Sequence, residues 1–562
     1  MPDIIETDVL VVGGGGAAAR AAMEAYLAGA KVLMAVKGGF GAIGTRGAGA
    51  TAAARSEGGA FRALGLPGIL QKTTQEVYED IIQVGLGMAD PKLAEILANE
   101  ALGSARVLAD WGVSFVRGPH GVRGHGVPVM SGLVSVVRKS GITLKERTMI
   151  ADLLVQDGEV VGAIAVDEDG NISVIKAGAV VLGTGGDAQL FKFNINPPCL
   201  TGDGYAMGYD IGAELFNMEF KQVFIASVYP SVNIVHRWAF DQRVKITNKN
   251  GREFVADYLP PGGTVDEAMA QHTLHNPFST RDKYSRFIQV GMVEEVKAGR
   301  GTQHDAVYMD LRPLKLDPYL QEWYTYRGIH RDKELVEVNS CHHCSDGGFR
   351  INEHGQTTVP RLYGCGEVIT GPHGADRLGG NSLAASQVFG ARAGRHAAYI
   401  AYHDGKPEVK QGTIDQKLER VTSLQKQNGG QKPQVLRERL QKVAWEEMLT
   451  SRSEASLNKV LQTVNEIRQL VPRIKVENPL ELVSALELQN LLVAGEMTAR
   501  TGLMRKESRG AHYRLEYPEQ DDKNWLKVIT LKKVNGQMAL DTLALDPNWK
   551  RRAGDMMGRG WG

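Results

Sequence analysis

Cysteine is scarce: Cys199, Cys341, Cys344 and Cys365 are the only four in 562 residues. So few thiols exclude a disulfide-stapled scaffold, and a reduced, cytoplasmic setting is the simplest expectation. Cys341-x-x-Cys344 stands without a second pair and makes a weak zinc or iron–sulfur set, so no metal site is assigned. The plain reading is two small residues packed beside a cofactor, with a redox or metal role as the alternative. Excess charge is also missing. Lys and Arg number 65 against 64 Asp and Glu, a net +1, and nothing in that balance recruits nucleic acid or an anionic membrane. No window approaches the roughly 18 uninterrupted apolar residues of a membrane span. The N-terminal MPDIIETDVLVV places acids before a short apolar run, the reverse of a secretory signal. Any membrane association is therefore expected to be peripheral, through a partner subunit.

Glycine is what the chain has in quantity, with 66 residues, as close backbone approaches to a cofactor require. The length predicts two to four domains. Residues 8–12 (DVLVV) form a β-branched run that ends in Gly13-Gly14-Gly15-Gly16; an alanine-rich helix follows, then a second strand over 31–36. Strand, glycine turn, helix and strand within about 30 residues is a βαβ unit. Gly13-x-Gly15-x-x-Ala18 fits the dinucleotide fingerprint in the required context. Gly13 turns the chain, Gly15 admits a pyrophosphate, and the helix opened by Gly16 and Ala17 offers it free N–H groups. The second strand ends in Ala35-Val36-Lys37, with no carboxylate for a ribose 2′-OH. That weakens NAD and leaves FAD open.

Residues 151–182 alternate as an antiparallel meander ending in the strand Ala179–Leu182. The pattern loosens over about 226–341, glycine-rich sequence returns at 346–395, and 406–435 reads as a charged, exposed connector. Helical periodicity occupies 436–506, with Leu482, Leu486, Leu488, Leu491 and Leu492 as its stripe.

Later segments carry a resemblance. They are Ala179–Gly186 (AVVLGTGG), Thr201–Met207 (TGDGYAM), Asn217–Phe220 (NMEF), Arg281-Asp282-Lys283, Val307–Leu311 (VYMDL) and His343-x-x-x-Gly347-Gly348. Leu362–Glu367 (LYGCGE), Gly374–Leu383 (GADRLGGNSL) and Glu507–His512 (ESRGAH) complete the set. In this order and spacing the chain resembles the fumarate reductase/succinate dehydrogenase flavoprotein family over most of its length. The resemblance implies an α/β fold with a Rossmann-like FAD-binding domain in two parts (1–225 and 346–405). A capping α+β domain (226–345), a helical domain (406–515) and a C-terminal segment (516–562) fill the rest. It implies FAD held by Gly13, Gly15, Gly16, Ala17, Lys37, Thr184, Gly185, Asp203, Glu367, Ser382 and Leu383. Glu367 would accept from ribose hydroxyls, and the backbone of Ser382 and Leu383 would face the flavin pyrimidine. His343 and Arg377 would clamp a substrate carboxylate, Arg377 with a bidentate fork, and Arg281 would be the proton donor.

Two departures qualify this. Covalently flavinylated members use a histidine in the loop after the second strand, but residues 38–49 contain none, so non-covalent FAD is expected. Where fumarate-type members carry a histidine-bearing stretch after MEF, this chain has Gln222-Val223-Phe224-Ile225-Ala226, and 236–243 replaces an acidic, glycine-rich segment. Phe224 cannot hydrogen-bond a carboxylate, so one end of the substrate is expected to be less polar than fumarate. The activity implied is hydride transfer between flavin N5 and a carbon–carbon bond beside a carboxylate or carbonyl. The alternatives are an amino-acid oxidase resembling L-aspartate oxidase, more distant sulfite or adenylylsulfate chemistry, and an electron-transfer subunit served by an iron–sulfur partner.

Overall fold

The computed structural model describes residues 2–42, 49–53, 72–113, 116–118, 121–123, 126–235, 237–275, 277–316, 318–425 and 429–547. The β-branched run forms the strand Asp3–Val12, which pairs in parallel with Val32–Ala35 on one edge and Ile172–Leu182 on the other. Thr143–Lys145 extends the sheet beyond Val32–Ala35. The long strand Ile172–Leu182 serves two neighbours on its far edge. Its first half meets the antiparallel strand Glu159–Asp167, and its last residues meet Leu362–Gly364 in parallel. The parallel strands Val9–Val12, Val32–Ala35, Val180–Leu182 and Leu362–Gly364 therefore end together, where an open α/β sheet carries its ligand crevice. Thr148–Gln156 completes the expected meander.

Two helices cross this sheet at close range because their facing residues are small. The Gly16–Leu27 helix lies against Asn381–His403, and a Cβ on Gly394 would stand 2.2 Å from the carbonyl oxygen of Ala21. Gln387 Nε2 bonds the carbonyl of Gly16 at 3.1 Å, so both helix starts flank one crevice.

A second sheet runs Asn233–Ile234, Lys221–Tyr229, Val336–Ser345, Val307–Asp310, Lys245–Thr247, antiparallel throughout. Phe240, Phe254, Met292, Met309 and Tyr324 give this region its own core. Its strand Lys221–Tyr229 runs across the 225/226 boundary expected from sequence. The third core joins Leu154, Val161 and Ile164 of the meander to Phe278 of the cap and to Trp445, Leu486 and Leu491 of the helical region.

The expected connector at 406–435 contains a packed helix, Gln411–Gln425. Ile414, Val421 and Leu424 are buried beneath its charged residues, and Lys417 and Arg420 both pair with the buried carboxylate of Asp152. The stripe is narrow enough for glutamine and charge to mask it. Past the helices, Lys527–Val534 and Gln537–Ala544 form a hairpin that rejoins the first region, Thr530 pairing with Phe216. Among the described residues, no helix is long and apolar enough to cross a membrane.

Candidate functional site: a crevice between two helix starts

A deep pocket opens at the ends of the parallel strands, and Gly13, Gly15, Gly16, Ala17, Lys37, Thr184, Gly185, Asp203, Glu367, Ser382 and Leu383 all line it. Gly13 holds φ +123°, and a Cβ there would sit 2.3 Å from Gly183 O. Only glycine fits that turn. The Gly16–Leu27 helix starts at Gly15 and the Asn381–His403 helix at Gly380, neither with a capping side chain nor an acid in its first turn. Gly16 N–H donates to Thr51 Oγ1 at 2.9 Å; the other first-turn N–H groups and the positive dipole ends suit a phosphate and an anionic ring edge. Thr184 Oγ1 is buried without a partner in the pocket wall. These features fit a dinucleotide such as FAD.

Glu367 Oε1 accepts from the Ser345 backbone N–H at 2.9 Å. Burial pushes its carboxyl up to about 7, against the Ser345 hydrogen bond that favours the ion. Lys37 lines the pocket and is also paired within the protein. Its ammonium donates to Thr201 Oγ1 (2.7 Å) and Asp203 Oδ2 (2.7 Å) and forms an ion pair with Glu487 Oε1 at 2.8 Å. Burial works against that charge, yet Asp203 and Glu487 outweigh it and hold the Lys37 pKa above its ordinary value. Asn490, three residues after Glu487 on the Pro479–Met504 helix, donates to Asp203 Oδ1 at 2.9 Å. Lys37 and Asp203 thus lock the helical region onto the pocket wall.

His343 and Arg377 also line the pocket. Strand Val336–Ser345 is irregular here: His342 opposes Val223 and Cys344 opposes Gln222, leaving His343 as the extra residue of a bulge. A bulge re-aims its side chain, and this one turns His343 into the crevice. Arg377 Nη2 lies 2.7 Å from His343 Nε2 and 2.7 Å from Gln222 Oε1; Nη1 reaches Leu378 O (3.2 Å) and Nε reaches Cys344 Sγ (3.4 Å). Four of the five guanidinium N–H bonds are thereby engaged, so the free bidentate fork expected from sequence is not on offer in this state. Burial lowers the His343 pKa well below the ordinary imidazole range, and the Arg377 charge lowers it further. A neutral His343 that accepts at Nε2 carries its proton on Nδ1, which has no protein partner. Phe224 lies outside the pocket wall and packs edge-on against His343, ring centroids 4.6 Å apart.

Arg281 does not line the pocket. It sits in a turn where its N–H meets Ser279 Oγ (3.3 Å), with Thr280 N–H on Gly510 O (2.9 Å) and Phe278 N–H on Val223 O (2.8 Å). The ESRGAH segment therefore docks the turn rather than entering the pocket. Cys341 is buried in an apolar cluster and Cys344 lies against Arg377; both thiols are free. Half of the loop that lacks histidine (43–48) falls outside the described residues, as does His236.

Sequence reasoning missed Gln222, Asp376, Glu487 and Asn490. For the last two a signal existed, since two polar residues three apart on the apolar face of a helix ask for buried partners.

The profile of an FAD binding domain matches residues 8–128 and 120–383, and that of the fumarate reductase flavoprotein C-terminus matches 437–550. An uncharacterised FAD-dependent oxidoreductase of Methanocaldococcus jannaschii is 34% identical over 556 residues, 94% of this chain and 96% of its own. A fumarate reductase (CoM/CoB) polypeptide of Methanothermobacter marburgensis, one of that enzyme's subunits, is 30% identical over 566 residues, covering 94% and 98%. The FrdA chain of Escherichia coli quinol fumarate reductase superposes with a TM-score of 0.81 at 25% identity, covering 97% of each chain. Crevice, glycine turn and these likenesses agree: the chain belongs to the fumarate reductase/succinate dehydrogenase flavoprotein family of FAD-dependent oxidoreductases.

Proposed function

We propose that the protein reduces, or in reverse forms, a carbon–carbon double bond conjugated to a carboxylate or carbonyl whose far end is less polar than that of fumarate. The observation that carries this is the pairing of His343 with Arg377 on one side and Phe224 on the other. Bound FAD would supply or accept the hydride. His343 Nδ1–H and the remaining Arg377 N–H are two donors for one oxygen-bearing end, worth about 1.5–3 kcal/mol each where charge-assisted. Phe224, packed against His343 from outside the pocket wall, offers no hydrogen bond to a second carboxylate, which would cost several kcal/mol if buried near His343 unpaired.

Arg281 is proposed as the proton donor, delivered by the capping region 226–345. A guanidinium is a weak acid, and it is suited only to a strongly basic acceptor such as the carbon left electron-rich by hydride addition. Since Arg281 stands outside the pocket wall, its action requires the cap to close further.

FAD is proposed to be non-covalent, because residues 38–49 contain no histidine. An iron–sulfur protein is the proposed electron partner, supported by the family resemblance and by relatives named as subunits. The test is anaerobic photoreduction of the flavoprotein followed by reoxidation with a panel of enoates, enones and fumarate. Rapid reoxidation by a monoanionic enoate with slow reoxidation by fumarate is expected; efficient fumarate turnover, untouched by Phe224→Ala, overturns the reading. Phe224→His should shift preference toward small dicarboxylates.

A further inference from the structure

His275 is a cap residue that stands between two carboxylates. Its Nδ1 is 2.9 Å from Asp282 Oδ2, in the turn that carries Arg281. Its Nε2 is 3.4 Å from Asp376 Oδ2, in the segment that carries Arg377. Asp376 is wholly buried, and this oxygen makes no hydrogen bond, whereas Oδ1 accepts from Gln222 Nε2 at 2.9 Å. Gln222 in turn accepts from Arg377, so a line of polar contacts runs from His343 through Arg377, Gln222, Asp376 and His275 to Asp282.

We propose that His275 is a positioning residue whose protonation latches the cap: as imidazolium it ties Asp282 to Asp376 and holds the Arg281 turn against the segment that carries Arg377, and as neutral imidazole it releases it. This rests on the proposed role of Arg281. The physical ground is donor counting. An imidazolium donates at both nitrogens, while a neutral ring donates at one and turns a lone pair toward the other carboxylate. With Asp376 Oδ2 buried and unbonded, the neutral ring leaves a desolvated anion facing that lone pair.

The charged neighbours do not replace the latch. Behind Asp282, Ser285 Oγ shares Oδ2 (3.2 Å), and Arg286 Nη1 bonds the Asp282 carbonyl (2.6 Å) rather than its carboxylate. Behind Asp376 stand Arg377 and Asp346, whose own pKa values feel its charge. Arg377 spends its N–H bonds on Gln222, His343, Leu378 and Cys344, not on Asp376.

Hydrogen–deuterium exchange of the peptide spanning Phe278–Arg286 in the FAD-loaded protein tests this without using turnover. Once the intrinsic tenfold rise per pH unit is removed, wild-type exchange should accelerate roughly tenfold or more from about pH 6 to about pH 8.5. His275→Gln should exchange fast at both ends of the range. Asp376→Asn should be protected at both, because its amide can donate to the unprotonated Nε2. Opposite, pH-flat results from the two variants are what a merely structural contact does not give. The kcat/KM profile of any substrate found should lose its alkaline limb in Asp376→Asn. Wild-type exchange with no pH dependence beyond the intrinsic term, or the same pH dependence retained in both variants, overturns the latch. The expected exchange pattern without turnover of any enoate sinks the proposed reaction and leaves the latch standing.

Discussion

Arg377 donates to His343 Nε2 across 2.7 Å, and that single contact decides which imidazole nitrogen carries the proton. Lysine keeps the charge but cannot hold His343, Gln222 and Cys344 in one planar fork. Arg377→Lys is therefore expected to lower kcat/KM by about 2–4 kcal/mol, roughly 30- to 1,000-fold, with FAD content unchanged. Steady-state kinetics alongside the flavin-to-protein absorbance ratio check both halves; full activity would show that the tautomer is set otherwise.

With Glu367 as the proposed acceptor for the ribose hydroxyls, FAD affinity is expected to depend on pH. Its carboxyl, raised to about 7 by burial from an ordinary 4.5, holds a proton in the folded apoprotein that the unfolded chain releases near 4.5. Apoprotein stability from this group is present below about 4.5 and is lost as pH climbs to about 7. Ribose hydroxyls donate best to the ion, so FAD binding should strengthen over the same climb, by up to about tenfold per unit below 7. Fluorescence titration of apoprotein with FAD should show that slope, and Glu367→Gln should flatten it while weakening binding.

Acid precipitation should leave the yellow colour in the supernatant. Colour that stays with the pellet would mean a covalent bond through some residue other than a histidine of the 38–49 loop.

Lys37→Met should act on stability more than on the cofactor. It leaves Asp203 without a counter-charge and Glu487 with Arg437 alone, and breaking such a buried group typically costs about 3–5 kcal/mol. Denaturant unfolding should register that loss, with the FAD Kd moving by less than about threefold. A large Kd change at constant stability would restore Lys37 to the cofactor's own contacts.

The glycine turn at Gly13, the two helix starts and the meander are legible in the sequence because each is a local pattern: a fingerprint, a period, a turn signal. His343 and Arg377 are legible through the ordered family motifs, which also identify Glu367. What stays hidden is what long-range packing decides. Nothing near Arg377 in sequence says that Gln222 and Cys344 will occupy its guanidinium, because the Val336–Ser345 bulge that brings them there is a property of strand register. His275 lies six residues before Arg281 with no motif around it, and its second carboxylate comes from the far side of the cleft. The 411–425 helix passes for a connector because Ile414, Val421 and Leu424 are thinly spread among polar residues.

The closing hairpin gives the order of synthesis a consequence. Thr530 and Leu531 supply the strand that covers Phe216 and Leu215, and Glu487 supplies one of the two carboxylates that neutralise Lys37. A nascent chain can lay down its glycine turn and first strands early. Even so, Lys37 and the open edge at Leu215–Phe216 then wait, half satisfied, until nearly all of the described chain has emerged. Over that interval the unfinished first region presents an uncovered strand edge, the feature by which chains pair wrongly with one another. A chain cut before Lys527 would keep that edge permanently, and self-association rather than simple loss of flavin is the failure it should show.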